Sequence, residues 1–216
     1  MHLRLQTDLV TDTTTASPLA AQLGYDELPR LIALMTGDEK HSMSADSTLD
    51  VLWVLYDRVL NVAPATADHP DRDRFLLSKG HGPTAYYAVL AAKGFIPIET
   101  LSTFGAYDSP LGYHPDRMLI PGVEISSGSL GHGLPIGVGV ALGLHARKRR
   151  SRVIVLVGDA ELDEGSNHEA IAFAGRLGLD RLTVVVVDNR SATYGWTGGI
   201  AAHFEIEGWA AAAVDG

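Results

Sequence analysis

Cysteine is missing altogether from the 216 residues. That excludes disulfides, thiolate nucleophiles and cysteine-based zinc sites, and it gives no sign of export. Positive charge is scarce as well. Seventeen Lys and Arg face 26 Asp and Glu, a formal net charge of -9 and a pI near 5.4. Nucleic acid and anionic membrane both require a basic face, so neither is expected as a partner. No apolar run is long enough to span a bilayer. The leading segment MHLRLQTDLVTDTTTASPLAAQLG also lacks the apolar stretch of a signal peptide. The cytoplasm is therefore the expected location. What remains is 46% hydrophobic and 20% charged, an ordinary globular composition with enough chain for one domain and a real core.

Residues 7 to 19, rich in Thr, Asp and Ser, read as part of a loose arm over residues 1–24. One α/β domain is expected over residues 25–216. Short helices are expected at Leu28 to Met35 and at PIETLSTFG. Ser47-Thr48 reads as the cap of a mostly buried helix, LDVLWVLYDRVL. Residues 62 to 76 read as a polar loop. SKGHGPTAYYAVLAAKGF reads as a helix with Pro83 in its first turn and Gly94 at its end. Residues 107 to 124 read as a loop, and GSLGHGLPIGVGVALGLHARKRR as a glycine-rich turn leading into a long helix. SRVIVLVGD and LTVVVVDN are continuous apolar strands flanking the helix SNHEAIAFAGRLGL. Such a strand–helix–strand unit builds a parallel sheet covered by helices. Ala210 to Val214 reads as a further strand. A sequence stopping just after it gives the expectation of a fold that continues.

The chemistry gathers where strands end. In open parallel sheets, ligands sit beyond the carboxyl ends of the strands. The first apolar run ends in Gly158-Asp159, with Glu161, Asp163 and Glu164 close behind, and the second ends in Asp188-Asn189. Asp159 and Asn189 are hard oxygen ligands at matching positions. They suit a Mg²⁺ ion that takes its other oxygens from water and a phosphate. The helix starting near Gly165 offers N–H groups to the same anion. The competing reading makes Asp159 a helix cap and Asn189 a turn residue, with the neighbouring acids favouring a helix start. Gly128 to Gly133 permits close backbone approach to a ligand, or simply a tight turn into a closely packed helix. His81, His114 and His132 each stand beside or near Gly or Pro, the setting of a polar pocket that handles protons.

Taken together, LSKGHGPTAYYAVLAAKGF, HPD, PGVEISSGSLGHGLPIGVGVALG, GDAELDEGSNHEA, VVDN, GW and VDG occur in one order and spacing from about His41 to Gly216. In this the chain resembles the N-terminal, diphosphate-binding part of transketolases. The resemblance implies a three-layer, doubly wound, mostly parallel sheet with helices on both faces. It also implies thiamine diphosphate and Mg²⁺ as cofactors. The metal ligands implied are Asp159, Asn189 and the backbone carbonyl of Ser191. The cofactor contacts implied are His81, Gly131, His132, Gly158, Asp159, Ala160, Glu161 and Asn189. His41 and His114 correspond to histidines that face substrate, His81 to one near the reacting ring, and Glu164 to a glutamate at the subunit interface that couples two active sites. The implied reaction moves a two-carbon ketol unit from a ketose or ketose phosphate to an aldehyde.

Several positions depart from the family pattern. Ala160 replaces the usual second Gly of GDG. Lys40-His41-Ser42-Met43-Ser44 stands where GHPGG is usual, Tyr113 precedes His114 in place of Gly, and Arg190 to Thr197 differs from the usual stretch after the Asn. The substrate side is altered more than the cofactor side. The glutamate that activates the cofactor lies, in the family, in a following pyrimidine-binding domain, so the chain is expected to be half of a split enzyme or part of a longer one. A homo-oligomer, or a hetero-oligomer with a pyrimidine-domain subunit, follows. Two other readings stay open: the first component of a thiamine-dependent 2-keto acid decarboxylase or dehydrogenase, which GDAELDE also resembles, and a non-catalytic module that binds a partner.

Overall fold

The computed structural model describes residues 23–36 and 42–214. The expected arm at residues 7 to 19 and the candidate His41 lie outside the described residues. Three strands, β1 (Arg74–Leu77), β2 (Val153–Gly158) and β3 (Leu182–Val187), form one sheet in the order β1-β2-β3, with both pairings parallel. The helices are α1 (Leu28–Ile32), α2 (Ser42–Val54), α3 (Thr84–Ala92), α4 (Gly133–Ala146), α5 (Gly165–Leu177) and α6 (Ile200–Ile206).

Side chains alternate across a strand, and here the alternation sorts them into two cores. Phe75, Leu77, Ile154, Leu156, Val185 and Val187 pack with α1, α2 and α3. Leu76, Val153, Val155, Val157, Val184 and Val186 pack with α4, α5 and Phe204 of α6. The sheet is thus the middle of three layers, as the resemblance implied. Every residue of β2 is buried, which explains its uninterrupted apolar sequence.

All nine residues of α3 are buried, so it needs no polar face. Pro83 immediately precedes it, and Gly94, at φ +79°, turns the chain away after it. On the opposite face, Gly137 lies where a Cβ would stand 2.5 Å from Val155, so α4 rides close against β2.

Three expectations are corrected. Residues 74–77 form β1 rather than part of a loop; the apolar run Phe75-Leu76-Leu77 is short, flanked by charge, and buried on both faces. Helix α2 starts at Ser42, and Thr48 is buried within it rather than capping it. Ala210 to Val214 makes no strand. Just before it, Trp209 donates its backbone N–H to Phe204 O at 3.1 Å and its indole N–H to Ile171 O at 2.9 Å, which ties that residue to α5 and α6. The short helix expected at PIETLSTFG is present, as the 3₁₀ helix Ile98–Thr103.

Candidate functional site

The three strands run parallel, so their carboxyl ends gather three loops on one edge: Ser78 to His81 after β1, Asp159 to Glu164 after β2, and Asp188 to Ser191 after β3. The glycine-rich turn before α4 closes over the first two.

Glu161 binds this edge together from inside. It is 1% exposed. Its Oε1 accepts a short bond from the Ser78 hydroxyl and another from the Gly131 N–H at 3.1 Å, while Oε2 accepts from the Gly158 N–H at 3.4 Å. Burial pushes its carboxyl above the usual range, only partly offset by those donors and by Lys79. Ser78 also accepts from the Gly133 N–H at 3.1 Å, so the side chain of Glu161 and the hydroxyl beside it link β1, β2 and the turn. The glycines are dictated by this closeness. A Cβ at Gly131, which has φ +79°, would stand 2.6 Å from Glu164 Cβ, and one at Gly133 would collide with Ser78.

Asp159 behaves in the opposite way. It is 2% exposed, and its backbone N–H continues the ladder to Val187 O at 3.1 Å. Its Oδ2 accepts from the N–H groups of Ser191 at 2.7 Å and Ala192 at 3.1 Å, and its Oδ1 from the Ser191 hydroxyl at 2.6 Å. Burial alone raises its pKa, but the Ser191 hydroxyl and the N–H groups of Ala192, Ala160 and Ser191 outweigh it and hold the carboxyl below its ordinary value. An ionised acid therefore sits at the end of the central strand, beside the loop that carries Asn189.

Among the described residues no three His, Cys, Asp or Glu side chains come together as a metal site. A cation here would need a mixed oxygen set, and Asp159, Asn189 and the Ser191 carbonyl are of that kind. Asn189 is exposed. The Ser191 hydroxyl on Asp159 Oδ1 is rotatable and can give way to a cation, while the N–H bonds of Ser191 and Ala192 on Oδ2 fix the Ser191 backbone alongside. The residues present fit a Mg²⁺ ion in chemistry.

The other candidates are placed as follows. His81 and His114 meet edge to face, with ring centroids 4.9 Å apart, and a Cβ at Gly128 would stand 2.6 Å from the His114 ring. His132 is exposed, with Nδ1 3.1 Å from Leu130 O. Ala160 begins the 3₁₀ turn Ala160–Asp163, and exposed Glu164 immediately precedes α5. Tyr113 packs its ring 5.4 Å from Phe104, with its hydroxyl over Gly105.

Two residues of the edge escaped sequence reasoning. Ser78 and Lys79 follow β1; they stood within the SKGHGP stretch read as a helix, and with the strand unrecognised neither was singled out for the site. Lys79 is 8% exposed, and its chain passes 3.3 Å from where a Cβ on Gly158 would be. Burial lowers its pKa, opposed by the charges of Asp159 and Glu161. Its aliphatic stem lies over Gly158, and its ammonium donates to the Ser47 hydroxyl at 3.4 Å.

The family model described as "Transketolase, thiamine diphosphate binding domain" matches residues 33–216. The chain belongs to the transketolase family. It is 39% identical over 185 residues to one of the subunits of an apulose-4-phosphate transketolase from Actinobacillus succinogenes, covering 81% of this chain and 67% of that one. It is 62% identical over 189 residues to a protein named Ferredoxin fas2 from Rhodococcoides fascians, covering 87% of this chain and 62% of that one. Among solved structures, the transketolase of Leishmania mexicana superposes with a TM-score of 0.70 at 25% identity. That match covers 87% of this chain and 31% of the Leishmania enzyme. This transketolase-family chain thus spans about two thirds of the shorter relatives and a third of the Leishmania enzyme.

Proposed function

We propose that this chain is the diphosphate-binding half of a two-subunit, transketolase-like enzyme that moves a two-carbon ketol unit from a ketose or ketose phosphate to an aldehyde. The observation that carries this reading is the buried, ionised Asp159, facing the Asn189 to Ser191 loop in a chain of the thiamine diphosphate binding family.

Asp159, Asn189 and the Ser191 carbonyl would hold Mg²⁺. The N–H groups and glycines at Gly131 and Gly158 let the backbone approach a diphosphate, with the Lys79 ammonium beside it. Bound thiamine diphosphate supplies the electron sink on which a carbon–carbon bond can break. His81 and His114, edge to face, hold the donor's hydroxyls and move protons at its oxygens. Glu164, exposed ahead of α5, faces a second protomer. The remaining half, a chain carrying the pyrimidine-binding domain, is the partner; the Actinobacillus relative, itself named as one of the subunits of its enzyme, supports that division.

A second reading is favoured by the relative named a ferredoxin. A thiamine-dependent enzyme acting on a 2-keto acid releases CO₂ and two electrons, which an iron–sulfur protein accepts. This chain has no cysteine, so it supplies no thiolate ligand for such a cluster. Assays of the two-subunit complex decide between the two. Ketol transfer from a ketose phosphate to an aldehyde supports the first reading. Pyruvate-dependent reduction of ferricyanide without ketol transfer supports the second.

A further inference from the structure

The stretch Arg190 to Thr197, where the sequence departs from the transketolase pattern, is held in a way of its own. The loop from Asp188 to Gly199 has no regular structure and is exposed over most of its length. Three sets of contacts hold it. Asp159 takes Ser191 and Ala192, as described. Asp163 Oδ2 accepts the N–H groups of Thr193 at 3.0 Å and Tyr194 at 3.3 Å. The third is Trp196. Its ring stacks on His168 of α5, with centroids 4.8 Å apart and planes 2° apart. It also meets His203 of α6 edge to face at 4.1 Å. The two imidazoles lie 5.4 Å from each other.

We infer that Trp196 is a positioning residue: gripped between His168 and His203, it holds the far end of the loop so that Ser191 and Ala192 stay against Asp159, with Asn189 two residues before Ser191, before any ligand arrives. A loop free at that end would have to be ordered on binding, and the entropy lost would be subtracted from the affinity for the metal and diphosphate. Trp196 is half-buried at the rim of the core and His168 is exposed, so loosening the grip frees the loop rather than the domain. The effect on affinity rests on the proposed function; the holding of the loop does not.

The test is limited trypsin digestion of the full chain without ligand, with fragments identified by mass. Arg190 is exposed in this loop and reports on it directly. Two ring contacts of this kind are worth about a tenfold change in an equilibrium, so Trp196→Ala speeds cleavage at Arg190 by about tenfold. Cleavage elsewhere and the thermal midpoint stay near the parent's. Trp196→Phe, which keeps a stacked ring, restores slow cleavage. His168→Ala, made from the exposed side, gives a smaller increase of about threefold. Unchanged cleavage at Arg190 in Trp196→Ala and His168→Ala overturns the inference, as does a uniform rise at all sites with a lower midpoint. For affinity, calorimetry with thiamine diphosphate and Mg²⁺ on the two-subunit complex reads a dissociation constant about tenfold weaker in Trp196→Ala and near normal in Trp196→Phe. An equal constant in both variants overturns the link to affinity. No binding by the parent complex overturns the proposed function and the affinity claim with it, and leaves the digestion to decide the holding role.

Discussion

The two ends of the sheet use acids differently. At the amino end, carboxylates meet arginines. Asp73 takes the Arg152 guanidinium at 2.5 Å as well as the N–H groups of Asn61 and Arg152, fastening the start of β1 to the residue before β2. Glu124 lies 2.9 Å from Arg72 and 3.8 Å from Arg74, and Asp71 lies 2.9 Å from Arg149. At the carboxyl end, Asp159 and Glu161 receive hydrogen bonds from hydroxyls and backbone N–H groups, which are neutral. Charge cancelled by arginine serves only the fold. Charge satisfied by neutral donors remains available to a cation. Under the proposed function, the acid left for a ligand is Asp159, while Glu161 at the same end ties strands and turn together.

The largest effect is expected where an acid of the carboxyl end serves the fold as well. Glu161→Ala strands the Gly131 and Gly158 N–H groups and the Ser78 hydroxyl in a buried space, at a cost of about 3 kcal/mol in urea unfolding. A cost below about 1 kcal/mol would show that the bracket is not structural.

Next comes the amino end. Asp73→Ala costs about 2 kcal/mol at neutral pH. The Asp73 pKa is raised by burial, but the Arg152 guanidinium and the Asn61 and Arg152 N–H groups outweigh this and leave it below its ordinary value. The stabilisation is therefore complete above the ordinary carboxylate range and is lost as pH falls through the depressed value. Unfolding of parent and variant, compared at neutral pH and at about pH 3, shows the gap narrowing in acid. A gap that widens in acid contradicts the arginine-paired picture.

Asp159→Ala is expected to cost only about 1 kcal/mol, because its partners Ser191 and Ala192 lie at the surface and regain water. A loss as large as that of Glu161→Ala would erase the distinction between the two acids. The smallest effect belongs to the exposed pair Asp71–Arg149: Asp71→Ala changes stability by less than about 0.5 kcal/mol, and any change disappears at high salt.

Much of this was legible in the sequence. β2, α5, β3 and the turn before α4 are long or strongly patterned, and the strand-end pair Asp159 and Asn189 followed from them. β1 was not, because three apolar residues between charges give no period to read. Its absence hid Ser78 and Lys79, which only the alignment of three strand ends brings to the site. Glu161 looked like one acid among several after β2. That it turns inward and brackets two loops depends on contacts with residues 30 and 83 positions away. Trp196, His168 and His203 sit on three different elements and show no sequence spacing that links them. The segment after Trp209 read as a strand from its apolar composition, but Trp209, just before it, is bonded to α5 and α6 and away from the sheet.

The central claim is that the ionised carboxylate of Asp159, hydrogen-bonded by neutral donors, serves a metal-bound diphosphate. The most direct measurement is calorimetric titration of thiamine diphosphate into this chain with its pyrimidine-domain partner, with and without Mg²⁺, for the parent and for Asp159→Ala. The account predicts Mg²⁺-dependent binding by the parent that is lost in Asp159→Ala while the variant stays folded. Equal binding by the two proteins, or binding indifferent to Mg²⁺, would contradict it.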